Sequence, residues 1–219
     1  MQRFYDLRVR SRKGRNLAAF RRRVFHTLEK EVYMGVILQL PINGIKDLKG
    51  YELKFSNLHR KIPKVYDFIS LNLPQHLLLK EKIKEIVQPF SFVQYSFPDY
   101  SPSIFEIIEE NFWDKIFLIV HPPFYSKEFY EVPGNVYFGT SIQGPSTLPF
   151  ESFSVKKYAN HLIRCYSKKL LIATDINLRN KNEIRKALEI YKNLLPKLPS
   201  YNLFTLPKKI FKIVKERKS

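Results

Sequence analysis

Ile116-Phe117-Leu118-Ile119-Val120-His121 is an unbroken apolar run that stops at a histidine, followed by Pro122-Pro123. A strand with one wet face alternates apolar and polar side chains. A strand covered on both faces does not, and such continuous runs belong to parallel sheets sandwiched by helices. Seven further segments read as strands around it: Phe4–Val9, Tyr33–Leu40, Val65–Leu73, Phe90–Phe97, Val136–Ile142, Leu170–Asp175 and Tyr201–Leu206. Helical patterns stand between them. In 154–167, Val155, Tyr158, Ala159, Leu162, Ile163 and Tyr166 fall on one helical face. Ile184, Ala187, Leu188, Tyr191 and Leu195 repeat that spacing in 181–195, as do Leu79, Ile83, Ile86 and Val87 in 75–88. Leu17, Phe20, Val24 and Leu28 form the core face of a first helix.

Strand–helix alternation demands a parallel sheet with helices outside it, and eight strands permit closure. The expectation is an α/β fold: one β/α (TIM-like) barrel domain over residues 1–219, a length that suits such a barrel. An open doubly wound sheet is the alternative. Ser103 with Glu106 reads as a capping box, Asn180 with Glu183 imitates one, and Pro207 suits the first turn of a last helix over Lys208–Arg217. Residues 41–64 carry the weakest pattern, a short helix or an irregular crossover.

The charge is the informative part of the composition. Thirty-eight Lys and Arg face twenty Asp and Glu, a net charge of +18. Such an excess on a globular domain points to a polyanion, with plain solubility as the bland alternative. It is concentrated: residues 1–30 hold ten basic and two acidic side chains, and residues 207–219 hold six and one, so +13 of the +18 lies in the two terminal segments. Domain termini often lie close together, which would merge these segments into one positive patch. A single cysteine, Cys165, leaves no internal disulfide. No apolar run reaches membrane-spanning length, and the start of the chain lacks a signal-peptide core. The expectation is a cytoplasmic protein without membrane association.

Chemistry in a β/α barrel sits at the C-terminal ends of the strands. Of the ligand types a metal-dependent hydrolase needs, His121 and Asp175 are well placed there, with Asp6 as a weaker third. His26, His59, His76 and His161 are scattered, without HxH or HExxH spacing. No Gly-rich phosphate loop occurs. Gly139 inside a strand marks a close backbone approach, and Gly144-Pro145 a turn. Cys165, with no paired histidine evident, reads as a small core residue. No catalytic or metal-binding residue is assigned. The strongest local signal is basic: Arg8, Arg10, Arg12, Lys13 and Arg15 at the end of the first strand and its loop, Arg21, Arg22 and Arg23 on the first helix, and Lys208, Lys209, Lys212 and Lys215 on the last. A guanidinium fork matches phosphate oxygens, so these are the candidate RNA-binding residues. No RNP1 run, KH-type GxxG or zinc-finger spacing is present, and the aromatics read as core rather than as stacking platforms.

The chain resembles the barrel-type ribonuclease P protein subunit, component 3 in archaea. The likeness is carried by Phe4-Tyr5-Asp6-Leu7-Arg8-Val9, by Val136-Tyr137-Phe138-Gly139-Thr140-Ser141-Ile142, by the helix around Lys157-Tyr158-Ala159-Asn160-His161-Leu162, by Leu170-Leu171-Ile172-Ala173-Thr174-Asp175, and by Leu203-Phe204-Thr205-Leu206-Pro207 running into the basic end. The resemblance implies a β/α barrel and a part in removing the 5′ leader of precursor tRNA. The RNA subunit carries the metal-dependent cleavage, so the isolated chain is expected to be non-catalytic and to bind no cofactor of its own. The implied partners are ribonuclease P RNA, precursor tRNA indirectly, and protein component 2, in a hetero-oligomer. Asp175-Ile176-Asn177 stands where the family often has a small Ser/Gly-rich turn, and residues 41–64 and 124–135 match poorly.

The same barrel type resembles the PHP metallohydrolases, whose first strand ends Asp-Leu-His-x-His. Here it reads Asp6-Leu7-Arg8-Val9-Arg10, with arginine in place of both metal-binding histidines. Arginine cannot deprotonate to bind a cation, but it binds phosphate. Two alternatives stand beside the subunit reading: a PHP-like hydrolase with a degenerate site at His121, Asp175 and Asp6, and a generic nucleic-acid-binding barrel.

Overall fold

In the computed structural model the chain begins with β1 (Phe4–Arg10), α1 (Leu17–Thr27), β2 (Tyr33–Gln39), β3 (Ile45–Leu48), β4 (Tyr51–Phe55) and β5 (Phe68–Asn72). A 3-10 turn over Gln75–Leu79 leads to α2 (Glu81–Val87), β6 (Phe92–Tyr95), α3 (Ile104–Asn111), β7 (Ile116–Ile119), β8 (Val136–Phe138) and α4 (Val155–Tyr166). The chain ends with β9 (Ile176–Asn177), α5 (Lys181–Leu194), a 3-10 turn at Leu195–Lys197, a π-helical turn at Tyr201–Thr205 and α6 (Leu206–Glu216). The structure describes residues 3–10, 17–28, 33–39, 45–48, 51–55, 68–97, 101–122, 132–141 and 154–216. Arg12, Lys13, Arg15, His59, the Gly144-Pro145 turn and Arg217 lie outside them, as does the side chain of Lys215.

The molecule is a mixed α/β protein with parallel sheets. β5, β6, β7 and β8 pair in parallel, and β1 pairs in parallel with β2 and β9. The expected strand Leu170–Asp175 joins these two sets. Leu170 bridges Phe138 in parallel, Leu171 N–H donates to Phe138 O, Leu7 N–H donates to Ile172 O, and Asp175 N–H donates to Arg8 O. Both faces of β1, β5, β6 and β7 are buried, which is why such strands read as continuous apolar runs. Phe117 and Ile119 pack outward under the helices, and Leu118 packs inward. The inner cluster holds Tyr5, Leu7, Ile37, Phe68, Phe92, Leu118, Leu171 and Ala173.

The array curls. Arg8 on β1 donates through Nη1 to Ser70 Oγ on β5 (2.8 Å) and Gln94 Oε1 on β6 (2.9 Å), and Gln94 Nε2 donates back to Leu7 O (2.8 Å). Along the ladder β1 is separated from β6 by segment 170–175, β8 and β7. Only curvature brings these side chains together across the interior.

Four expectations are corrected. Tyr201–Leu206 is helical, not an eighth strand. Short apolar runs do not reveal their period, and here Leu203, Leu206, Ile210 and Val214 are all buried at i, i+3, i+7 and i+11, one helical surface running into α6. Within 41–64 the described residues form neither helix nor crossover. β3 and β4 are an antiparallel pair, and β4 adds antiparallel to the edge of β5. Ser103 does not cap α3 with its side chain; its hydroxyl bonds Gln75 and Ser101 instead. The Asn180 cap does form, accepting from the N–H groups of Asn182 and Glu183. The helix expected over 75–88 breaks at Lys80, whose backbone is extended.

Gly139 has the close approach its strand position implies. A Cβ there would lie 3.0 Å from Val120 O and 3.1 Å from Ala173 Cβ. Gly139→Val is expected to destabilise the protein by about 1–3 kcal/mol through overpacking, measured by urea unfolding.

Among the described residues, four turns at the N-terminal ends of the strands are each tied to a neighbour by a side chain. Lys115 Nζ donates to Gln88 O (2.7 Å). Asn135 Nδ2 donates to Phe112 O (3.0 Å) and Lys115 O (2.8 Å). Lys169 Nζ donates to Pro133 O (2.7 Å) and Gly134 O (2.9 Å). Asn202 Nδ2 donates to the carbonyls of Ser167, Lys168 and Leu170. The result is a laced rim in which carbonyls outside the regular ladders gain donors. Beside it α6 turns Leu206, Ile210 and Val214 into the inner cluster, while Tyr5 packs against the rings of Phe204 and Phe211 at 6.0 and 5.2 Å.

Candidate functional site

At the opposite ends of the strands the curled sheet gathers a buried charged cluster. Arg8 is 4% exposed. Its Nε lies 2.7 Å from Asp175 Oδ1, and its Nη1 holds Ser70 and Gln94. Arg10, 34% exposed at the side chain, donates through Nε to Asp175 O (2.9 Å), approaches Asp175 Oδ1 at 3.1 Å, and brings Nη2 to 3.5 Å from Glu183 Oε2. His121 Nε2 stands 4.0 Å from Asp175 Oδ2. Asp175 itself has left-handed backbone, φ 53°, a region that Asp enters more readily than most residues.

Electrostatics explain the arrangement. Burial alone would push the Asp175 carboxyl up; Arg8, Arg10 and His121 outweigh it and hold the group below its ordinary value. Burial pushes His121 down to about 4, Asp175 opposes this, and Arg8 and Arg10 reinforce it. At neutral pH the ring is uncharged, so its approach to Asp175 is a dipolar contact rather than an ion pair. Asp6 belongs to a different environment. It lies between the sheet and α5, accepting from the hydroxyls of Thr174 and Tyr191 and from the N–H groups of Arg8 and Thr174. Burial pushes Asp6 up to about 6 against those four hydrogen bonds.

These two shifts oppose each other. Asp6, raised in the fold, stabilises fully below about pH 4, and that contribution is lost as pH rises through about 6. His121, depressed in the fold, contributes stability above about pH 6.5 that is lost as pH falls toward about 4. Each is on the order of 3 kcal/mol, so stability is expected to stay nearly level across that interval. His121→Gln removes one arm. The variant should gain stability on acidification from pH 6.5 to 4.5 in urea titrations; a variant that tracks the parent would rule the compensation out.

Of the residues a degenerate metal site would use, His121 and Asp175 come together and Asp6 does not. Among the described residues no three His, Cys, Asp or Glu form a group that could hold a metal ion. Cys165 does have a histidine neighbour after all: His161 Nδ1, one turn earlier on α4, lies 3.8 Å from its Sγ. Ser70, Gln94, Thr174 and Tyr191 were not among the candidate site residues read from the sequence. A signal existed, because Ser70 and Gln94 are polar residues each flanked by apolar neighbours within a strand, and they pair in register.

The expected RNA-binding residues divide. Arg8 was grouped with surface cations; it is buried and engaged internally, because a guanidinium under the curled sheet needs Asp175, Ser70 and Gln94 to replace water. Arg10 is half-buried at the mouth. Arg21, Arg22 and Arg23 are all exposed on α1, with Arg21 Cζ 6.0 Å from the centre of the Phe25 ring. Lys208, Lys209 and Lys212 are exposed on α6. Arg3 and Lys208 both sit over the Phe204 ring, at 5.9 and 5.4 Å, so the start of β1 and the start of α6 meet there. No helix among the described residues is long and apolar enough to cross a membrane. No family model matches the chain, and no curated protein matches it.

Proposed function

We propose that this chain is a non-catalytic, RNA-bound protein subunit of ribonuclease P, built on a β/α barrel and working in the cytoplasm with the ribonuclease P RNA and a component 2 partner. The observation that carries the reading is the meeting of the two basic terminal segments around Phe204. Most of the net charge lies in those segments. Exposed Arg21, Arg22, Arg23, Lys208, Lys209 and Lys212 then neutralise backbone phosphates and let RNA helices pack closely, while Arg10 offers a partly exposed guanidinium at the mouth. Barrel closure is supported by the reach of Arg8 from β1 to β5 and β6. The internal pairing of Asp175 with two guanidiniums favours a structural cluster over a hydrolytic one.

Native affinity purification of the tagged protein, followed by sequencing of the co-purified RNA, tests this. Enrichment of ribonuclease P RNA with precursor-tRNA cleavage in the same fraction is the expected result. A preparation free of that RNA at low salt would overturn the reading.

A further inference from the structure

We propose that the laced N-terminal rim of the strands is a binding surface for unpaired RNA, with Trp113 and Tyr201 as platforms on which bases stack. It rests on the RNA-bound part of the reading above and names a site for it. Large aromatic side chains usually bury most of their surface. Trp113, the sole tryptophan of the chain, is 74% exposed, and Tyr201 is 53% exposed. Neither sits on an untethered turn. Asn135 holds the carbonyls of Phe112 and Lys115, one on each side of Trp113. Asn202, next to Tyr201, is buried and holds three carbonyls of segment 167–170. Platforms fixed before binding lose little conformational entropy when a base arrives.

Cations alternate with rings along the same rim. Lys169 Nζ lies 5.1 Å from the centre of the Tyr137 ring, and Tyr201 is near enough to Tyr137 to add to the effect of burial on its hydroxyl. Phe204 carries Arg3 and Lys208. In the rim turns 88–91, 112–115, 132–135, 167–169 and 199–205 the one carboxylate, Asp114, is paired at 2.8 Å by buried Lys115, which leaves exposed Lys168 and half-buried Lys169 as cations without an opposing carboxylate in these turns. Exposed rings for bases and interleaved cations for phosphates are what a single strand requires. The unopposed positive charge of the rim and of the neighbouring Arg3 and Lys208 favours a polyanion over a neutral protein face.

Trp113 supplies its own probe. The full chain is titrated at low salt with a short single-stranded oligoadenylate and with an RNA duplex of equal length, following tryptophan fluorescence. Saturable quenching by the single strand, little by the duplex, and weakening with added salt are expected. Tyr201→Ala should lower oligoadenylate affinity about tenfold with an unchanged circular dichroism spectrum. Absent quenching, equal quenching by duplex, or unchanged affinity in Tyr201→Ala would each overturn the rim site. Recovery of ribonuclease P RNA together with any of those results removes the rim alone. Quenching without that RNA in the native purification removes the subunit reading and leaves the rim. Loss of a protein from the purified assembly in Tyr201→Ala, with oligoadenylate binding intact, would make the rim a protein-docking face and overturn the proposal.

Discussion

Asp175→Asn is expected to lower folding stability by about 3–5 kcal/mol, the range seen when one member of a buried ion pair is removed and the other stays charged. Arg8 would keep only neutral partners, Ser70, Gln94 and the amide oxygen of the replacement, and arginine cannot escape by losing its proton. Asparagine is the informative replacement because it tolerates left-handed backbone. Asp175→Ala would add about 1 kcal/mol of strain at φ 53°. The sharper check is the pair. Arg8→Met with Asp175→Asn removes both charges of the pair, so the double variant should be more stable than Asp175→Asn alone. Urea unfolding of the three proteins at pH 7 measures this. A single variant within about 1 kcal/mol of the parent would mean that the cluster does not anchor the mouth.

Ile210→Asn should have a similar or larger effect. Ile210 is fully buried in the inner cluster with Tyr5, Phe68 and Phe92. Truncating a core isoleucine costs about 2–5 kcal/mol, and an amide without partners there adds about 1–3 kcal/mol. The sum approaches the whole stability of an ordinary domain, about 5–15 kcal/mol. The neighbouring Lys209→Asn, on the wet face of the same helix, should stay within about 0.5 kcal/mol. Denaturant midpoints of the two variants separate a helix that seals the inner cluster from one that lies on the surface. Equal midpoints would deny α6 that role.

The sequence was legible where burial is two-sided. Runs such as Phe117-Leu118-Ile119-Val120 are uniformly apolar because both of their faces are covered, and they mark parallel strands without further help. Amphipathic α4 and α5 were legible for the converse reason: each has one wet face. Tyr201–Leu206 failed because five or six apolar residues carry no period by themselves; only Ile210 and Val214, read together with Leu203 and Leu206, reveal the helix. The β3–β4 hairpin adds to an edge by backbone hydrogen bonds, which side-chain patterning does not record. In the candidate site, residue type located Arg8, His121 and Asp175 but not the direction of Arg8. That direction depends on Ser70 and Gln94, residues far away in sequence that only the curl of the sheet brings across.

The laced rim also constrains how this chain can change length. Each tie runs from a side chain at a set position to carbonyls of the preceding turn, across connections as short as residues 88–91, 112–115 and 167–169. One inserted residue there would carry Lys115, Asn135 or Asn202 off its acceptors and strand a carbonyl. Relatives of this protein should therefore keep these three connections at constant length and place their insertions and deletions in the connections that leave the C-terminal ends of the strands.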